Sequence, residues 1–585
     1  MIYANKLAQA FVFVAVVAVV AVPNIAWARQ DVVLPDLAPR EVEITGDLTI
    51  VFPALRRQPL VGFNPPPPVP DILSSRLPFA EDYKQPSADL PPSPVLPPDP
   101  PEVTAIANRT PMNGVMSASV GSHLDRTLAA EIALRYSQNS SALFDIEYHG
   151  TNGQEPFAGS TANSGFDYLK SDIKLSTEVG PVVFSSSASG FKKKYSMFGL
   201  IPVPGAQSVS NPDRNFYGAE LSLGISSSPG SRLDGGIAFK GGMTALNTDV
   251  FDPSVRVDPV TDREEKFLST SGRLSIPIPD GFISVVASGT TSGLDAGTFP
   301  GSTVQSGYSQ AVFSYLYSRN MNLKAGVAVM GFRSDPQFTS DRPRSLSYLS
   351  PVLELSYTLS SAIRLYAGNQ PKLETGLLRE TYSASPFLKD EPVLLPSLTS
   401  IDAHSGLEYL SEFITTKVQI GYREQPYQRY AFQPTSSVNG YDRGYAGLAY
   451  DAANMLYGKL DLGLLLSPGM QLGIDAEFRS AELSDLNADI PYFSPLSIGG
   501  FASASFLDGN AMVQVNFRHE AARKVDLIGI QETSSITLLG IEGSYFFTPS
   551  YGLSVGVRNL GASPEFWQWY PIESSTFYFG AKYRW

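Results

Sequence analysis

The sequence predicts an all-β fold: a transmembrane antiparallel up-and-down β-barrel of about 22 strands. A signal peptide and a proline-rich extended periplasmic segment precede it. Three observations carry this. From Met112 onward apolar and polar residues alternate with period two. Tight turns alternate with longer polar loops. The chain ends on an aromatic strand, Thr576–Trp585, with sequence TFYFGAKYRW.

The closing strand shows the pattern best. Phe577, Phe579, Ala581, Tyr583 and Trp585 fall on one face, and Tyr578, Gly580, Lys582 and Arg584 on the other, because side chains alternate across a strand. A terminal Trp on an apolar face frays into water unless something oily covers it. A bilayer covers it. Phe577, Phe579, Tyr583 and Trp585 are therefore read as the barrel-closing and assembly strand, offered to outer-membrane lipid and to the barrel-assembly machinery.

Composition agrees. Only 17% of residues are charged while 43% are hydrophobic, yet beyond the N-terminus no apolar run reaches the ~20 residues of a spanning helix. Insertion must then be by strands. The formal charge of −13 argues against nucleic acid, whose phosphates need clustered Lys and Arg. With no cysteine, disulfides, thiol catalysis and thiolate metal sites are excluded.

Four regions follow in order. Residues 1–28 read as a signal peptide: Lys6, an apolar core Phe11–Val22, and Ala26-Trp27-Ala28 as a small-x-small cleavage pattern. Export then places the barrel in the cell outer membrane. Residues 29–63 hold two strand-like runs, Glu41–Thr45 and Asp47–Phe52. Their alternating residues Val42, Ile44, Leu48, Ile50 and Phe52 are candidates for docking a periplasmic partner by strand addition; a small hairpin is the plainer reading. Residues 64–111 form a proline-rich linker, since Pro fixes φ and removes a donor. Residues 112–585 form the barrel.

Within it, Ile414, Thr416, Val418, Ile420 and Tyr422 oppose Thr415, Lys417, Gln419, Gly421 and Arg423. Leu472–Arg479 and Ala511–Arg518 alternate likewise. Short turns are expected at Ser137–Ser140, Val179–Pro181, Ser228–Ser231, Pro279–Gly281, Arg319–Asn322, Leu359–Ser361, Leu410–Glu412, Ser467–Gly469, Asp508–Asn510 and Thr548–Ser550, several with Pro-Gly or Asp-Gly chemistry. Between them lie longer loops such as Lys193–Asp213, Leu246–Glu264, Gln370–Thr399 and Gln425–Ala453. Short turns on one side and long loops on the other is the barrel layout, with the short side periplasmic.

The C-terminal third resembles the barrel of TonB-dependent outer-membrane receptors. Ile490-Pro491-Tyr492 with Pro495, Ser554–Leu560 ending in Asn559-Leu560, Tyr570-Pro571 with the terminal strand, and Ser405–Tyr409 match that family's late strands. The resemblance implies transport or passage of a solute across the outer membrane. The family's globular plug has no counterpart in Arg29–Pro111, which is mostly proline-rich. Because 22-stranded barrels hold a plugged lumen, the occupant expected here is that segment or a plug-supplying partner protein, ahead of inward-folded loops. The alternative function is a structural or scaffold subunit of an outer-membrane complex that docks periplasmic partners.

No nucleophile-and-base set, phosphate loop or HExxH stands out, so no enzyme activity and no cofactor are expected. Asp145, Glu147 and His149 share one strand face and read as a solvated lumen wall. Trp567, Trp569 and Tyr570 cluster before the last strand and read as interface aromatics of the membrane girdle.

Overall fold

A computed structural model describes residues 112–585, apart from 138, 157–162, 203–211, 229–230, 232–233, 249–261, 297–298, 319, 336–344, 390–392, 435–440 and 562–564. The signal-peptide, docking-run and linker readings, including Val42, Ile44, Leu48, Ile50 and Phe52, lie outside the described residues.

Twenty-two antiparallel strands pair neighbour to neighbour and close into a ring. The first strand, Met112–Gly121, pairs with both the second, Arg126–Ser137, and the last, Thr576–Arg584. At the seam Val120 faces Phe579, Ala118 faces Ala581 and Met116 faces Tyr583. Trp585 does not fray. Its N–H donates to the Gly114 carbonyl at 3.1 Å and its carbonyl accepts from the Gly114 N–H at 3.3 Å. The indole lies across Gly114, where an added Cβ would come within 2.2 Å of the ring. A side chain at 114 would push the closing residue off the seam.

The outward set forms a continuous apolar belt. Ile420 (62% exposed), Leu268 (59%) and Phe577 (62%) reach an environment that only lipid makes favourable. No described helix is long and apolar enough to cross a membrane; the strands cross. At the periplasmic edge Phe547, Tyr551, Tyr583 and Trp585 stack in succession, with ring centroids 6.4, 4.8 and 5.2 Å apart. This is an aromatic girdle, where amphipathic rings favour the headgroup level.

The seven predicted tight turns that lie wholly within the described residues fall between strands as expected, for example between Val179 and Val182 and between Ile278 and Gly281. The opposite loops are shorter than expected because the strands run further. Ile414–Phe432 and Gly447–Ser467 take in much of the predicted Gln425–Ala453 loop, across a bulge between Gln425 and Gln428. Strands of 19 and 21 residues exceed the 9–11 that span a bilayer. Their outer ends therefore rise above the membrane as a collar. The predicted Gln370–Thr399 loop is itself structured, with Lys372–Glu374 paired to Ser397–Thr399 and a helix over Leu378–Ala384.

Candidate functional site: the lumen and its outer cap

Alternation fixes what each strand shows the lumen. On one side, from Val182–Ser196 to Phe299–Ser318, many mid-barrel inward residues are small hydroxyls: Ser187 opposite Ser222, Ser271 opposite Ser288, Thr290 opposite Ser306, with the Lys240–Glu220 ion pair at 2.9 Å set among them. On the other side they are charged and paired across strands. Arg423 meets Asp402 at 3.0 Å, Lys417 meets Glu408 at 3.1 Å and Lys459 meets Glu477 at 3.2 Å. A hydrogen-bonded chain links these rungs. The Tyr366 hydroxyl donates to Gln419 at 3.3 Å, the Gln419 amide to Tyr457 at 3.2 Å, and the Tyr457 hydroxyl to Asp402 at 2.7 Å. Each of these six charges has a partner on a neighbouring strand, whereas Asp461 and Asp475 face each other as like charges.

Above this lumen the inward residues change character. Phe191, Phe216, Leu246 and Leu294 sit on lumen-facing positions at the outer ends of their strands, all buried. They meet Met197, Leu200, Leu378, Leu388, Tyr445, Trp567 and Tyr570 in one apolar cluster. The contributing loops spring from strands far apart around the ring. A cluster drawn from them must cross the mouth. The loop after Ser196 pairs as a short strand with the loop after Phe432, Ile201 opposite Arg443. Leu388 bridges to Ala446, with the Lys389 N–H donating to the Ala446 carbonyl at 2.8 Å. A second cluster seats Val393, Leu395 and Leu398 on Val304 of the hydroxyl-lined side, on Met330 and Phe332 of the next strand and on Tyr427 of the charged side. Burying each such leucine contributes about 1.5–3 kcal/mol.

The loops, ranked below the other occupants in the sequence reading, thus meet across the outer mouth. Polar grips from the wall hold them. Arg214, fully buried, donates to the Pro386 carbonyl at 2.7 Å, the Leu388 carbonyl at 2.9 Å and the Thr248 hydroxyl at 3.0 Å. Glu265 accepts the Leu378 N–H at 2.7 Å, satisfying one orphan donor at the start of the 378–384 helix. Arg379 reaches Glu220 at 2.8 Å. At the centre, backbones touch. A Cβ on Gly444, whose φ is +99°, would come within 2.3 Å of the Gly199 carbonyl, and one on Gly199 within 2.6 Å of the Trp569 carbonyl.

Trp567 and Tyr570 are 6% and 3% exposed, with Phe387 stacked on Tyr570 at 3.5 Å and Arg443 over Trp569 at 5.0 Å. The expected girdle role is corrected: these rings belong to the cap core, because the final loop turns in over the mouth. The girdle is instead at the strand feet. The closing strand carrying Phe577, Phe579, Tyr583 and Trp585 lies where it was expected. Asp145, Glu147 and His149 line the lumen face as expected, and His149 meets buried Asp125 at 3.2 Å, with Arg558 at 3.5 Å from the same carboxylate. Burial alone would raise the Asp125 carboxyl, but the His149 hydrogen bond and the Arg558 charge hold it below its ordinary value. Among the described residues no His, Cys, Asp or Glu group is arranged to hold a metal. The residues that sequence reasoning missed are Arg214 and the cap seat. Their signal was apolar or aromatic residues on the lumen parity at strand ends, where polar ones were due.

No protein-family profile and no curated protein matches the chain. Solved structures do match. The FrpB iron transporter from Neisseria meningitidis superposes with a TM-score of 0.63 at 9% identity, over 82% of this chain and 83% of that one. P. aeruginosa FpvA, solved with heterologous pyoverdines, gives 0.61 at 12% identity, over 82% and 72%. The copper transporter OprC gives 0.60 at 14% identity, over 81% and 80%. Together with the apolar belt, this makes the chain a transmembrane barrel of the outer-membrane type. Its fold is that of the TonB-dependent receptors its C-terminal third resembles in sequence.

Proposed function

We propose that the protein is a gated conduit for a solute across the outer membrane, with the loop cap as its outer gate. One observation carries this: a polar lumen of 22-strand width lies beneath a packed apolar cap gripped from the wall by Arg214, Glu220 and Glu265. A purely structural barrel has no need of a mouth seal with its own core. The metal and siderophore systems among the similar folds are consistent with uptake, and no enzymatic role is proposed. The strand Thr576–Arg584 is offered to the assembly machinery. The test is planar-bilayer conductance of the full chain against a variant lacking residues 377–395. The full chain is expected to stay closed or flicker, and the deletion to give a large, steady conductance. Equal conductance in both would end the gate reading.

A second reading rests on the alternation in Glu41–Phe52: residues 29–63 dock a periplasmic or plug-supplying partner, with residues 64–111 as spacer. Deleting Glu41–Phe52 should then remove a co-purifying envelope protein. An unchanged set of partners would reject it.

A further inference from the structure

Two outer-loop turns in the cap share an unusual feature. In Ile490-Pro491-Tyr492-Phe493 the residue after the proline, Tyr492, has φ +57°. In Trp567-Gln568-Trp569-Tyr570, the two-residue turn joining Trp567 to its strand partner Tyr570, the second central residue, Trp569, has φ +72°. A turn with only its third residue at positive φ follows the type II pattern, which reserves that position for Gly or Asn. Asn487 and Asn559, also at positive φ in outer loops, are of the tolerant kind. Tyr492 and Trp569 are not; Leu124 and Leu507 share the feature at turns that lie outside the cap core. The two turns also touch, with the Tyr492 and Trp567 rings 4.2 Å apart. Packing holds the strain in place. Tyr492 donates its N–H to the Lys524 carbonyl at 2.6 Å, and Trp569 lies under Arg443 at 5.0 Å. Beside them the Tyr570 hydroxyl is buried with no hydrogen-bond partner.

We propose that these paired turns are a spring-loaded latch: the closed cap stores backbone strain at Tyr492 and Trp569, and parting of the two turns releases it. Strain of this kind persists only where the surroundings over-determine it, and it concentrates at switches. The ring contacts close the latch and the left-handed backbones oppose them. The closed state is thereby kept marginal, so opening starts at residues 484–495 and 565–575 and not at the wall-gripped residues 377–389. This rests on the gate reading and names its moving part.

The experiment compares amide-exchange protection across residues 484–495 and 565–575 of the full-length protein in lipid nanodiscs. The variants are Tyr492→Gly, Tyr492→Ala, Trp569→Gly and Trp569→Ala. Each pair loses the same ring, but only Gly relieves the backbone, since an L-residue in the left-handed region costs the equivalent of roughly five- to thirtyfold in an equilibrium. Each Gly variant should be protected at least about threefold more than its Ala partner, and Tyr492→Gly over Tyr492→Ala should also protect the 565–575 turn. Equal protection within each pair, or a gain confined to the mutated loop, overturns the latch. Trp569→Asn, which tolerates the same φ, should side with Gly and guards against a folding artefact of glycine. If the latch holds but deleting residues 377–395 produces no conductance, the gate reading alone fails.

Discussion

The two walls of the lumen are built from different chemistry, although the same period-two rule lays them out. The wall from Val182 to Ser318 is rich in small hydroxyls at mid-height, with one Lys240–Glu220 pair among them, and turns apolar at its outer end, through Phe191, Phe216, Leu246, Leu294 and Val304. The wall from Ile401 to Leu483 is charged at mid-height, with Arg423, Lys417 and Lys459 each paired across strands. The first gives the cap a seat of Phe and Leu side chains; the second meets the cap through Tyr427 and Tyr430 and lines the lumen with paired charge. The two arcs thus differ in lining more than in sealing. A change in the lining of one arc should leave that of the other nearly untouched.

The largest predicted break is on the seating arc. Arg214→Ala strips three hydrogen bonds from the 370–400 loop and the neighbouring Thr248 and takes from the buried Leu388 carbonyl its charged donor, while Pro386 keeps the Tyr195 hydroxyl. That should loosen the cap by about 3 kcal/mol, read as lost amide protection in residues 377–389 with unchanged ion selectivity. Next is the centre of the cap. Gly444→Ala puts a Cβ against the Gly199 carbonyl at a φ of +99°, at a cost of about 1–3 kcal/mol, and should raise open probability in bilayers. On the charged arc, Asp402→Asn leaves Arg423 without its carboxylate. It should shift conductance through a cap-deleted barrel toward anions while changing barrel stability by only about 1 kcal/mol. Ser288→Ala on the hydroxylated arc should change neither by a measurable amount, within about 0.5 kcal/mol.

The effect of pH is smaller than that of the cap substitutions and has two signs. Burial raises the Glu573 carboxyl, in the final loop of the cap. A carboxyl raised in the closed form holds its proton more tightly there than in the opened loop. Closed-cap stability from Glu573 therefore grows as pH falls from neutral through the mildly acid range, and is missing above the raised value. Asp125, held below its ordinary value, works the other way: its contribution stands above the ordinary carboxylate range and is lost only as pH drops beneath it. Protection factors of the 565–575 turn should rise on mild acidification and fall again in stronger acid. Glu573→Gln should flatten the rise and spare the fall.

How much of this was legible in the sequence follows from the range of the forces involved. Strand positions and tight turns are local. Alternation at 414–422 and turns such as Pro279-Asp280 need only neighbouring residues, so they read correctly. The closing strand was legible because its alternating aromatic face, Phe577, Phe579 and Tyr583, makes sense only against lipid. The cap was not, because its core joins Phe216, Leu388, Tyr445 and Trp567, which come together only once the ring has closed. Trp567 and Tyr570 carry the composition of girdle residues, and only the inward path of their loop makes them core. Strand overruns such as Gln425–Phe432 were hidden for the same reason: a polar, Tyr-rich stretch reads as loop until Tyr427 and Tyr430 find the cap.

The most direct test of the sealed mouth is a disulfide across it. The native chain has no cysteine, and Ile201 and Arg443 are strand partners from loops rooted in distant strands. Ile201→Cys with Arg443→Cys should cross-link on oxidation and hold conductance shut until reductant is added. Failure to cross-link, or a cross-linked protein that conducts freely, would contradict loops packed across the opening.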